Sequence, residues 1–243
     1  MEDDKKYELY VEGRNDQCII ASIGYQNNLK PDKDKCALLL GEHLVNIKCD
    51  NKKSNGSDDS AYELFKHALT IPQQYGAIAI IVDADDIDKK RAQDRLQKFI
   101  KIINAATAKE KVYDTNISLS ANGIVLSPLK EHSAIYPQLG LWIMPNNKDS
   151  GAIESFLWQG GPITDYQDTY NEVNRIVSEL EKKDNPKIMH YIGNHHNKAL
   201  VHTFLAWVKE PGNPMGTSID KKCWNINAKL VKDFIDWLAR VFG

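Results

Sequence analysis

Two short acidic groups, each at the end of an apolar run, hold the residues of this chain best suited to chemistry. The first is Glu12 within Tyr7-Glu8-Leu9-Tyr10-Val11-Glu12-Gly13-Arg14-Asn15-Asp16. The second is Asp83 and Asp85 within Ala77-Ile78-Ala79-Ile80-Ile81-Val82-Asp83-Ala84-Asp85-Asp86. A carboxylate directly after a buried strand stands at the rim of a sheet, where open α/β folds bind their ligands. Gly13 lets the backbone turn sharply beside a ligand, and Asp16, one helical turn further on, can face the same crevice as Glu12. Asp83 and Asp85 straddle one residue, so an extended strand end would set both side chains on one face. Carboxylates gathered so closely repel one another. A hard divalent cation relieves that repulsion and suits phosphate chemistry. Taken singly, each group has a plainer reading: a solvated acid at a strand turn for Glu12-Gly13, and a helix N-cap cluster for Asp83 to Asp86. Their order, both after strands, favours the metal site.

The elements that must position these acids are legible from hydrophobic period. Residues 7–13 alternate and stop at glycine, a strand. Residues 16–26 carry Cys18, Ile19, Ile20 and Ile23 at helical spacing. Residues 44–49 alternate again, and Ser60, with Glu63 three residues on, predicts the start of a helix through Gln74. Residues 77–82 are apolar without alternation, as in a strand buried on both faces. An amphipathic helix is expected over 88–106, with Leu96, Phe99, Ile100 and Ile103 on its stripe. Ile117-Ser118-Leu119 and Gly123 to Leu126 are β-prone, 139–144 reads as a strand, and a helix begins at 151–158. Helices are expected at 165–182, 194–208 and 228–242, with a turn-rich stretch at 210–216. The succession predicts a doubly wound, mostly parallel α/β core over residues 1–160, with residues 161–243 an added C-terminal helical layer packed on it.

Composition narrows the field. The 243 residues are 42% hydrophobic, and 31 Lys+Arg stand against 33 Asp+Glu, so any nucleic-acid footprint must be a local patch. The four cysteines form no C-x-x-C pair and read as reduced thiols. The charged N-terminus has no secretory signature and no apolar run is long enough for a membrane span, so a cytoplasmic protein is expected.

The acidic pattern resembles the Toprim domain, the catalytic fold of topoisomerases, primases, small ribosomal-RNA-maturation ribonucleases and overcoming-lysogenisation-defect nucleases. That domain carries a glutamate-glycine after its first strand and an Asp-x-Asp after a later one. Here these are Glu12-Gly13 and Asp83-Ala84-Asp85, about seventy residues apart. Residues 140–147 and 151–154, with Lys198-Ala199-Leu200, Leu205-Ala206-Trp207 and Pro211-Gly212, are similar to a bacterial family of stand-alone Toprim-like proteins. The resemblance implies a Rossmann-like sheet, Mg²⁺ or Mn²⁺ held by Glu12, Asp83 and Asp85, and a second ion near Asp16 and Glu154. It also implies Lys198 as a catalytic cation, DNA or RNA as partner, and room for a partner ATPase. Two departures stand out: no glycine follows Asp-x-Asp closely, and no ATPase, zinc or strand-passage module accompanies the acids, which argues against a complete topoisomerase or primase.

The function expected is thus a metal-dependent phosphodiesterase cleaving DNA or RNA, in phage defence or nucleic-acid processing. The alternative is a non-catalytic protein binding nucleic acid or nucleotide in the same crevice. A phosphatase using Asp83 as nucleophile is weaker, lacking the partners it needs. Adjacent His195 and His196 point apart on a helix, whereas His195, Lys198 and His202 share a face. Trp207 and Trp237 are expected in the core. No P-loop, G-x-G-x-x-G or serine elbow occurs.

Overall fold

A computed structural model of the chain describes residues 5–31, 36–50, 58–85, 91–107, 110–182 and 194–243. The apolar runs form strands β1 (Lys6–Tyr10), β2 (Ala37–Leu40), β3 (His43–Lys48), β4 (Tyr75–Asp83), β5 (Ile124–Leu126) and β6 (Gln138–Met144). They join in one sheet in the order β2-β3-β1-β4-β6-β5. The inner four are parallel, and the edge strands β2 and β5 run antiparallel to their neighbours. Around it lie α1 (Arg14–Gln26), α2 (Asp58–Ala68), α3 (Arg91–Ala106), α4 (Ile153–Gly160), α5 (Gln167–Glu181), α6 (Asn194–Trp207), α7 (Met215–Asp220) and α8 (Lys229–Phe242). This is a mixed α/β fold of the Rossmann-like kind.

Strand period divides the core. On β4, Ala77, Ala79 and Ile81 face a layer built by α1 and the C-terminal helices, while Ile78, Ile80 and Val82 face α2 and α3. Both faces of β4 are therefore apolar, which is why the run does not alternate. The C-terminal helices share one hydrophobic cluster with the sheet: Phe204 and Phe234 belong to it together with Leu9 and Val11. Gly140 lets α8 come close to β6, because a Cβ there would stand 2.8 Å from Val241 Cγ2 and 2.9 Å from Ala79 Cβ.

From β1 the chain passes through α1 toward β3 on one side, then through α2 to β4 on the other. The winding thus reverses between β1 and β4. That is where a doubly wound sheet opens a crevice at the carboxyl ends of its strands.

Several local expectations are corrected. Strand β2 was hidden in Ala37-Leu38-Leu39-Leu40, too short a run to show alternation. Ser60 is inside α2, which starts at Asp58, and it lies 3.4 Å from the Glu12 carbonyl oxygen rather than capping the helix. That helix ends at Ala68, and Pro72, which lacks an N–H, opens a separate 3₁₀ turn over Pro72–Gln74. Ile117 to Leu119 form no strand. The turn-rich stretch gives way to α7, which packs on α1. Trp207 is 48% exposed instead of in the core, whereas Trp237 is fully buried and donates to the Ile124 carbonyl. Asp86 to Lys90 and His190 lie outside the described residues, as does the side chain of His195. None of the four cysteines is in a disulfide, and Cys18 and Cys36 are exposed. Among the described residues no helix is long and apolar enough to cross a membrane.

Candidate functional site

The two acidic groups meet at the reversal point. Glu12 follows β1, Asp83 ends β4, and the Glu12 Oε1 accepts a hydrogen bond from the backbone N–H of Asp83 at 2.8 Å. One side chain thus ties the carboxyl ends of two neighbouring strands. Asp16, third residue of α1, accepts from the Gly13 N–H at 2.8 Å through Oδ2. It closes the first turn of the helix while standing beside the crevice.

The opposite wall comes from the second half of the chain. Helix α4 begins at Ile153, so Glu154 sits in its first turn with a side chain only 9% exposed. Asn197 donates to Ser155 Oγ at 2.8 Å, and that hydroxyl accepts from the Ala152 N–H at 3.2 Å. These bonds hold α6 against the start of α4, with Lys198 Nζ 3.9 Å from Glu154 Oε1. His196 Nδ1, 2.5 Å from Glu181 Oε1, ties α6 to α5 instead of facing the acids. The resulting crevice holds about 290 Å³ and is lined by Glu12, Asp16, Asp83, Glu154 and Lys198, with Gly13 to Asn15, Ile153 and Met215 completing it.

Electrostatics here are those of crowded acids. Burial first, then repulsion from Glu12, Asp16, Glu154 and Asp85, pushes the Asp83 carboxyl well above the usual carboxylate range. Burial also raises Glu12 to about 8; the Asp83 N–H and Arg95 oppose the rise, and Asp16 and Asp85 add to it. Asp16 is raised to about 6 by burial and by Glu154, against the Gly13 N–H and Lys198. The first turns of α1 and α4 both border the crevice, so the positive ends of two helix dipoles face it.

Asp85 departs from the expected extended geometry. Its φ of +57° turns the chain, and its backbone bridges to Gly151 with both N–H···O distances at 2.8 Å. Its carboxylate accepts from Arg95 at 2.8 Å and is not part of the crevice wall. Arg95, whose side chain is 12% exposed, also donates to the Asp83 carbonyl at 3.0 Å. One largely buried guanidinium therefore bonds both ends of the Asp83-Ala84-Asp85 turn. The sequence reading missed it. The signal was an arginine on the apolar stripe of α3, three residues after Ala92 and four before Phe99.

The donor set of the crevice is all carboxylate oxygen, the type hard divalent cations take. Among the described residues no three His, Cys, Asp or Glu side chains already converge on one metal-binding point. Glu12 and Asp16 each use one carboxylate oxygen on a backbone N–H.

No curated protein and no solved structure matches this chain. A family model, described as a protein of unknown function (DUF3226), matches residues 6–243, and with that span the chain belongs to the DUF3226 family.

Proposed function

We propose that the crevice is the centre of a Mg²⁺- or Mn²⁺-dependent, Toprim-like nuclease that cleaves phosphodiester bonds of DNA or RNA. One observation carries the reading: Glu12 of the β1–α1 turn, Asp16 of α1, Asp83 of β4 and Glu154 of α4 line one crevice at the reversal point of the sheet, where burial and mutual repulsion raise the carboxyl groups of Glu12, Asp16 and Asp83 despite Lys198 and Arg95. Acids crowded in this way either keep their protons or take up a cation, and oxygen-ligated divalent ions suit the second course.

Glu12 and Asp83 are the proposed ligands of one cation, with Asp16 and Glu154 for a second, while Asp85, engaged by Arg95 outside the crevice wall, is left out of the ligand set; the metal, when bound, would supply a Lewis acid for the phosphoryl oxygen and a water of lowered pKa. The chain's own residues do the rest. In this reading the first-turn N–H groups of the two helices that border the crevice, at Arg14 and Asn15 and at Ile153, receive an anionic phosphate. Lys198 offsets charge that develops on the phosphoryl oxygens. Arg95 fixes the turn bearing Asp83 and Asp85, acting through them as a positioning residue.

The test is cleavage of labelled single-stranded DNA and RNA with Mn²⁺, Mg²⁺ or EDTA. Wild type is expected to cleave only with metal, and Asp83→Asn to lose about a hundredfold or more of the rate. Asp83→Asn also removes a buried, repelled carboxylate, so the metal-free variant is expected to melt higher than wild type. Loss of rate with a gain in stability separates function from folding. Equal cleavage by wild type and Asp83→Asn sinks the reading, and tight Mn²⁺ binding without turnover moves the crevice to the non-catalytic, nucleic-acid-binding alternative.

A further inference from the structure

A second cavity, about 590 Å³, lies beside the acidic crevice and shares Asn15 and Met215 with it as common wall. Its size falls in the range of small-molecule sites, about 300–1,000 Å³. Helices α1 and α7 form its base. They approach so closely at Gly216 that a Cβ there would stand 3.3 Å from the Cys18 backbone. Helix α6 closes one side with His202 and Leu205.

The lining chemistry is selective. Among the described residues no Lys or Arg borders this cavity. Ile19, Tyr25 and Met215 provide apolar and aromatic surface for a flat ring. At one end Asp220 accepts a hydrogen bond from Ser22, itself only 7% exposed, at 3.2 Å. That carboxylate is an acceptor suited to ring N–H or amino groups. Thr217 and Asn213 add further hydrogen-bonding groups. An uncharged, planar heterocycle with N–H donors fits here, joined through Asn15 and Met215 to a crevice suited to phosphate.

We propose that this cavity receives the base of the nucleotide next to the scissile phosphate, and that the substrate is therefore single-stranded nucleic acid. The proposal rests on the metal-dependent nuclease reading of the neighbouring crevice. A base inside a duplex is paired at its edge and stacked on both faces, so it cannot enter such a cavity without being extruded. Stacking and edge hydrogen bonds then select strands already open.

The experiment is photo-cross-linking of the full chain, with Mn²⁺, to a DNA single strand carrying 5-iododeoxyuridine, mapped by mass spectrometry. Parallel samples carry the same strand in a duplex or the free 5-iododeoxyuridine monophosphate. Cross-links are expected on the segments bearing Tyr25 or Met215, about tenfold weaker for the duplex. Thr217→Trp, which fills the cavity, is expected to lower the yield about tenfold while leaving Mn²⁺ affinity unchanged. Asp220→Ala, at an exposed position, provides a second variant with the same expected direction. Cross-links that map elsewhere, equal labelling by duplex, or unchanged yields in both variants overturn the proposal, and labelling by the free monophosphate equal to that by the strand overturns its single-strand assignment. Cleavage retained without cavity cross-links sinks the base site alone. Cavity cross-links without Mn²⁺ binding or cleavage sink the nuclease reading and leave the base site supported.

Discussion

Glu12 and Asp83 are acids held in their less natural protonation state. An acid whose pKa is higher folded than unfolded binds its proton more tightly in the native state, so folding is favoured at low pH. Above the unfolded value near 4.5 the native acid retains a proton that the unfolded chain releases, and stability falls until the folded value is passed. With Glu12 raised to about 8 and Asp16 to about 6, metal-free protein should lose stability steadily from about pH 4.5 to about pH 8. The loss expected is several kcal/mol, read as a falling Tm across a buffer series. Glu12→Gln should flatten the upper part of that slope while keeping an acceptor for the Asp83 N–H. A Tm that rises through this window would contradict the electrostatic account. The same protons compete with a cation, so Mn²⁺ affinity should rise over the same range.

At the level of elements, the decisive contact is between helix α3 and the end of β4. Arg95 bonds the Asp83 carbonyl and the Asp85 carboxylate, and it does so from the buried side of its helix. Arg95→Met retains much of the apolar stem but leaves both acceptors without that donor. Removing such a partner is expected to cost about 2 kcal/mol, or about 4–8 °C in Tm for a chain of this size. Arg95→Lys should recover only part, since one ammonium cannot reproduce the guanidinium fork. If Arg95→Met melts with wild type, the turn is held by other means. The strands around this contact could be read from hydrophobic period alone, as β4 and β6 show. The contact itself could not, because a charged residue on an apolar stripe gives no hint of which loop it meets.

Across the whole molecule, one hydrophobic cluster spans the sheet and the C-terminal helices. Phe234 of α8 is fully buried, with ring centroids 5.2 Å from Trp142 of β6 and 5.6 Å from Phe156 of α4. Phe234→Ala is expected to cost about 3–5 kcal/mol in chemical denaturation, with a single transition if sheet and helices unfold together. Two transitions would show the helical layer to be separable. That joint core explains how residues far apart in the chain come to face one crevice. The sequence by itself determined the α/β class, most strands, and the placing of Glu12 and Asp83 at strand ends, because strand and helix periods are local properties of burial. Glu154 and Lys198 entered from family resemblance, since nothing in their local pattern distinguishes them. Only the tertiary structure decided that they share a crevice with Glu12, Asp16 and Asp83, that Asp85 turns away to Arg95, and that a second cavity opens beside them. Those facts depend on which helices pack against one another across the sheet, and long-range packing leaves no periodic signature in the chain.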